Sequence, residues 1–160
     1  MNEKIYAVCM LIGVLLLLSP NFNLSLTVVD SADTLDHWSA TYGTVSLDTT
    51  LKFEGAASVA WFTDVNQSQW NCYLTWLTTY GAWQDWTNTP ILNVQIYPHA
   101  IPSGAEMYLY LITVVDGTDK VWSYGTLSLS LGVWNNVTVD LRNPQGGDTP
   151  NLDAVRAVQF

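Results

Sequence analysis

The feature that most constrains this chain is its punctuation. Beyond residue 25, runs rich in Thr, Val, Leu, Trp and Tyr are broken by Gly, Pro, Asn or Asp. The breaks recur roughly every 8–15 residues, and no segment sustains the 3.6-residue apolar period of a helix. β-Branched and aromatic side chains suit the half-buried surface of a pleated sheet. Strands are therefore expected over residues 44–48, 57–62, 71–77, 91–97, 106–115, 120–130, 134–141 and 155–160. So many short strands with turn signals between them predict an all-β sandwich or barrel. Within 71–77, Cys72, Leu74 and Trp76 alternate with Tyr73, Thr75 and Leu77. Asp116-Gly117 ends the longest run, and Gly125 interrupts the next one as a bulge or bend. The last run alternates Val155, Ala157 and Gln159 with Arg156, Val158 and Phe160, and the chain stops inside it. That predicts a domain truncated at its C-terminus, cut from a protein with further domains.

Residues 1–25 read differently. Lys4 precedes the unbroken apolar run 7–18, which Pro20, Asn21 and Asn23 end. The run is short for a membrane span, which needs about 20 residues, and it suits the core of a signal peptide. Cleavage after Ser25, or retention of the segment as an anchor, are the two outcomes it allows. The remainder, 26–160, is one domain with length enough for a core. Export follows, to a secreted or cell-surface location.

Charge narrows the partners. Five Lys and Arg face 14 Asp and Glu, a net charge of −9. Phosphate backbones are held by clustered Lys and Arg, so nucleic acid is excluded as a partner. Beyond the N-terminal segment the same balance argues against an anionic membrane surface. Neutral ligands and cations remain. Cys9 lies in the leader, which leaves Cys72 alone in the domain without a disulfide partner; a small buried apolar residue is its expected role. Asn23-Leu-Ser25, Asn66-Gln-Ser68 and Asn136-Val-Thr138 match the glycosylation sequon.

Catalytic patterns are sparse. His37 and His99 are the only histidines, and neither sits in a motif for nucleophilic catalysis or zinc binding. Glu54 and Glu106 are the only glutamates of the domain, and no carboxylate pair is marked for glycoside hydrolysis. No phosphate-cradling glycine loop is present. Binding without catalysis is the expectation, with a small hydrolase or its accessory domain as a rival.

Five segments, taken in order, carry a resemblance. "VVDSADTLDHWS" (28–39) is an acidic stretch leading to a Trp, and "FEGAASVAWF" (53–62) opens a strand with Gly-x-x-Ser. "WQDWTNTPILNVQIYP" (83–98) leads into a central strand. "LGVWNNVTVDLRNP" (131–144) reads Gly-x-Trp-x-x-x-x-x-Asp-Leu, and "NLDAVRAVQF" (151–160) reads Leu-Asp-x-Val-x-x-x-x-Phe. Together they resemble jelly-roll carbohydrate-binding modules of the galactose-binding-like superfamily, over nearly all of the domain. The resemblance implies an antiparallel jelly-roll β-sandwich and a carbohydrate partner. It also implies a structural Ca²⁺ held by Asp30 and Asp33 and by the Lys52–Gly55 loop, with Lys52 and Gly55 acting through carbonyls and Glu54 as a further ligand. The last-strand Asp of that family's site has no counterpart here. The fold also hosts adhesive and structural modules, so an adhesive or structural surface domain is the alternative.

The aromatics then divide. Eight Trp and eight Tyr are too many to serve only one role. Trp38, Trp86 and Trp134 match core positions of that family, and Trp61 alternates into the core. Tyr108 and Tyr110 share one face of their strand, as do Trp122 and Tyr124 on the next. Hairpin pairing would set all four into one sugar-stacking strip, with Asn93, Gln95, Glu106 and Asp119 bonding hydroxyls; alternatively these rings pack a second sheet. The loop around Trp70, with Asn66, Gln67, Gln69 and Asn71, is a second candidate, which Trp83, Gln84 and Asp85 would join.

Overall fold

The computed structural model describes residues 32–62, 72–78, 82–101 and 105–160. The 1–25 segment, Asp30 and the loop bearing Trp70 lie outside them. The described chain is all-β: nine strands and a single 3-10 turn, Leu152–Ala154, with no α-helix. No helix among the described residues is long and apolar enough to cross a membrane. The strands are β1 (Trp38–Thr41), β2 (Thr44–Asp48), β3 (Ser58–Phe62), β4 (Tyr73–Leu77), β5 (Ile91–Ile96), β6 (Tyr108–Val115), β7 (Thr118–Thr126), β8 (Asn135–Asp140) and β9 (Val155–Gln159).

All pairings between these strands are antiparallel. One sheet has five strands in the order β1-β4-β9-β6-β7, while β2 pairs with β3 and β5 with β8. β9 thus inserts between strands distant in sequence, and β4 and β6 each pair with it rather than with each other. A single core joins the three sheets. Val59 and Trp61 of β3 and Val94 and Ile96 of β5 pack with Leu74, Trp76, Leu111 and Val158 of the large sheet. Alternation explains which residues go inward. In β4, Leu74 and Trp76 face the core, whereas Tyr73, Thr75 and Leu77 face away, as the period of two requires.

β1 was not expected from the sequence. Its four residues WSAT are too few for a periodic signal, and its place is set by pairing, Trp38 opposite Trp76. β7 ends at Thr126 rather than Ser130, one last bond to the β6 side running from the Leu127 amide to the Met107 carbonyl. In β9 the simple alternation fails. Ile112 opposes Ala157 but Thr113 opposes Val155, so Arg156 is the extra residue of a bulge. Val155 and Val158 consequently both face the core, and Ala157 and Gln159 face away.

The β6–β7 hairpin sets the geometry of the site. Asp116 and Gly117 form its two-residue turn, both with positive φ (51° and 74°), the primed turn whose twist matches that of the strands. This turn opposes Val115 to Thr118 and Leu111 to Trp122. Up to the bulge, an even-numbered residue of β6 therefore always faces an odd-numbered residue of β7. The register shifts between Tyr108 and Tyr110, next to Gly125 with φ of 84°. Gly125 is thus the interruption anticipated in this run.

Candidate functional site

The candidate site is the face of the five-stranded sheet turned away from the core. Residues directly opposite one another share a face, so the register gives its rows. One row runs Ser39, Thr75, Gln159, Tyr110, Ser123. The next runs Leu77, Ala157, Ile112, Val121 and is apolar. Beyond it lies Asp119, opposite Val114; its carboxylate accepts from Arg156 Nη1 at 2.6 Å. On the other side of the Tyr110 row, Tyr108 opposes Thr126.

Three tyrosines gather at that end. The Tyr108 and Tyr110 rings are nearly parallel, 23° apart with centroids 6.0 Å apart. Tyr73, from β4, meets Tyr110 edge-on with centroids at 6.4 Å. All three rings are half-buried. The Tyr108 hydroxyl donates to Glu106 Oε2, and Thr126 Oγ1 donates to the same oxygen at 3.4 Å. Gln159 Nε2 donates to Thr75 Oγ1 at 3.0 Å. Burial pushes the Tyr110 phenol above its ordinary value, with Tyr73 and Tyr108 adding to the rise, so it stays neutral near pH 7. The result is a patch of aromatic rings beside neutral hydroxyl and amide groups, with one carboxylate at its rim. Such a patch can stack the apolar face of a sugar ring and bond the hydroxyls around it.

The structure does not bring the four expected strip residues together. Tyr108 and Tyr110 face outward, but Trp122 and Tyr124 face the core. The hairpin register is the reason, because it places Trp122 opposite the fully buried Leu111. Trp122 is 6% exposed, and its indole N–H donates to the buried Thr113 Oγ1 at 2.9 Å. Lys120 Nζ lies over its ring, 4.4 Å from the centroid. Tyr124 donates its hydroxyl to the Leu141 carbonyl at 2.7 Å, and burial drives its phenol far above the ordinary range.

The polar partners separate too. Only Glu106 belongs to the tyrosine patch. Asn93 and Gln95 lie on the β5–β8 pair, where Thr138 donates to Asn93 at 2.7 Å and Gln95 donates to Asn136 at 3.1 Å. Asp119 is engaged by Arg156. Trp70 lies outside the described residues, as do Asn66, Gln67, Gln69 and Asn71. Trp83 is 45% exposed, but Gln84 accepts from the Trp86 indole and Asp85 accepts from Thr87, so both neighbours are already used within the fold. Tyr73 and Gln159 were not expected at the site. Their positions depend on β9 lying between β4 and β6, a pairing that no local pattern announces.

Of the Trp expected in the core, Trp38, Trp61 and Trp86 are buried. Trp134 is half-buried and packs with Leu51 and Phe62 on Ala60. It meets Phe53 and Tyr97 edge-on at 5.5 and 5.4 Å, and Tyr97 meets His99 at 5.1 Å. This second aromatic cluster closes over the outer side of β3.

At the expected metal position, Asp33 and the 52–57 loop do meet. Asp33 Oδ1 accepts from the Ala56 and Ala57 amides at 2.7 and 2.9 Å. Gly55, with φ of 73°, allows this approach, since a Cβ there would stand 2.7 Å from Asp33 Oδ1. Lys52 turns its ammonium to the Ala56 carbonyl at 3.3 Å. Among the described residues no three His, Cys, Asp or Glu side chains converge to hold a metal. What is described is a carboxylate that fastens a loop by its amides.

The chain matches no protein-family model and no curated protein.

Proposed function

We propose that this chain is an exported, non-catalytic carbohydrate-binding domain, and that the tyrosine face of its large sheet holds the sugar. The supporting observation is the convergence of Tyr73, Tyr108 and Tyr110 on the side away from the core, beside Thr75, Gln159 and Ser123. Rings that serve only packing belong on the inner side, where Trp122 and Tyr124 are. The fold proposed with this function is a jelly-roll sandwich, in which the β2–β3 and β5–β8 pairs form the layer facing the large sheet. One core shared by all three sheets supports that arrangement.

Calcium belongs to the same proposal, with Asp30 joining Asp33 and the Lys52–Gly55 carbonyls. A thermal melt with calcium and with chelator tests it: a higher Tm with calcium is expected, and identical melts would remove the ion. Binding itself is tested by electrophoresis of the domain through gels containing soluble polysaccharides. Retardation of the wild type by at least one glycan, and its loss in Tyr110→Ala, is the expected result. Unretarded migration of the folded wild type in every gel would overturn the reading.

The adhesive or structural reading has its own observation. Asn135 braces the 130–135 tip: its side-chain oxygen accepts from Ser130 N, and its amide donates to the Ser130, Val133 and Ile96 carbonyls. The braced tip presents Leu131 and Val133 about half-exposed (53% and 50%). Such a rigid apolar tip suits attachment to another surface. Self-association in light scattering that Leu131→Ser reduces would favour it.

A further inference from the structure

Resting on the glycan reading of the tyrosine face, we infer that the site is specific for uncharged glycans and that the Glu106 carboxylate sets this specificity. Glu106 stands at the rim of the patch, tied to the Tyr108 hydroxyl and to Thr126. A carboxylate or sulfate carried by a sugar stacked on these rings would meet it as a like charge, and like charges repel by an amount that grows as water leaves the contact.

No described cation offsets it. The four described Lys and Arg residues are all engaged elsewhere. Arg156 pairs with Asp119, Arg142 with Asp140, and Lys120 with Asp148, while Lys52 reaches the Ala56 carbonyl. Arg156 shares the outer face, but its partner Asp119 lies opposite Val114, four residues along β6 from Tyr110. That is about 13 Å of strand, and the guanidinium charge is already matched by the Asp119 carboxylate. Across the apolar row between them, an anionic sugar on the tyrosines gains little from the guanidinium. The groups that surround the rings and stay accessible, Ser123, Thr126 and Gln159, are neutral donors and acceptors suited to hydroxyls.

The test pairs each neutral polysaccharide with the same polymer after oxidation of its primary hydroxyls to carboxylates, so that backbone and linkage stay constant. Affinity electrophoresis at low salt and at 0.5 M NaCl is run on the wild type, Glu106→Gln and Asp148→Asn. The last removes the same charge at a site away from the tyrosines, where the side chain is 78% exposed. For a neutral polymer that retards the wild type, the oxidised partner is expected to bind about tenfold more weakly at low salt. Salt narrows that gap. Glu106→Gln closes most of it, and Asp148→Asn leaves it in place. Equal or tighter binding of the oxidised polymer would overturn the inference while leaving the glycan reading intact. A gap that Asp148→Asn closes as well as Glu106→Gln would remove Glu106 as its source. Failure of every neutral and oxidised polymer to bind would bring down the glycan reading itself.

Discussion

The two faces of the β6–β7 hairpin carry the same ingredients and use them oppositely. Each face has a pair of aromatic residues two apart on one strand: Tyr108 and Tyr110 outside, Trp122 and Tyr124 inside. On the inner face the polar atoms are consumed within the fold. The Trp122 indole goes to Thr113 and the Tyr124 hydroxyl to the Leu141 carbonyl, as buried polar groups must find partners. On the outer face the rings are half-buried, as Tyr124 also is, but the Tyr108 hydroxyl is tied only to an exposed carboxylate. The first pair is architecture. The second is an aromatic surface left partly open to solvent, where the proposed glycan would sit. Aromatic content therefore says little about function until the register assigns each ring to a face.

The largest expected effect lies inside. Trp122→Ala should cost about 3–5 kcal/mol, the range for deleting a buried Trp, measured by urea denaturation; a near-neutral result would mean that the ring is not part of the core. Gly125→Ala should come next, at roughly 1–3 kcal/mol. Its φ of 84° is unfavourable for a Cβ, which would also stand 2.5 Å from Gln145 Nε2. Because the bulge beside Gly125 brings Thr126 opposite Tyr108 at the rim of the patch, this variant should weaken glycan binding as well as stability. Loss of stability with full binding would separate the bulge from the site. Tyr124→Phe removes one hydrogen bond to a backbone carbonyl and should cost about 1 kcal/mol, with binding unchanged. Tyr73→Ala should do the reverse, with a small change in Tm and at least a tenfold loss in affinity by titration calorimetry.

The smallest effect concerns acid. Bonding from the exposed Arg142 side chain holds the half-buried Asp140 carboxyl at about 2. A carboxylate depressed in the folded state adds stability that is full above its unfolded value near 4 and disappears as pH falls through 2. Tm should therefore decline slightly less over pH 4 to 2 in Asp140→Asn than in the wild type, a difference kept small by solvent screening.

Much of this division can be read from the residues. Leu109 and Leu111 interleave with the outer tyrosines, and an aliphatic pair of that kind marks the inner face of β6. The two-residue Asp116-Gly117 turn then forces odd against even across the hairpin, which sends Trp122 inward with Leu111. Both clues are local, and together they split the four aromatics into two pairs. The eight longer strands follow from the same local patterning. Tyr73 and Gln159 are another matter. They join the site because β9 pairs with both β4 and β6, and such long-range pairing leaves no mark on neighbouring residues. The Arg156 bulge likewise comes from the mismatch between β6 and β9, not from a glycine or proline in the run. The short β1 depends on its pairing with β4.

The most direct test of the central claim is a backbone and aromatic NMR titration of the domain with an oligosaccharide from whichever polysaccharide retards it. The account predicts that the shifted signals cluster at Tyr73, Thr75, Tyr108, Tyr110 and Gln159, while the Trp122 indole and the Tyr124 ring stay in place. Shifts centred instead on Phe53, Tyr97 and Trp134 would contradict it and move the site to the opposite side of the molecule.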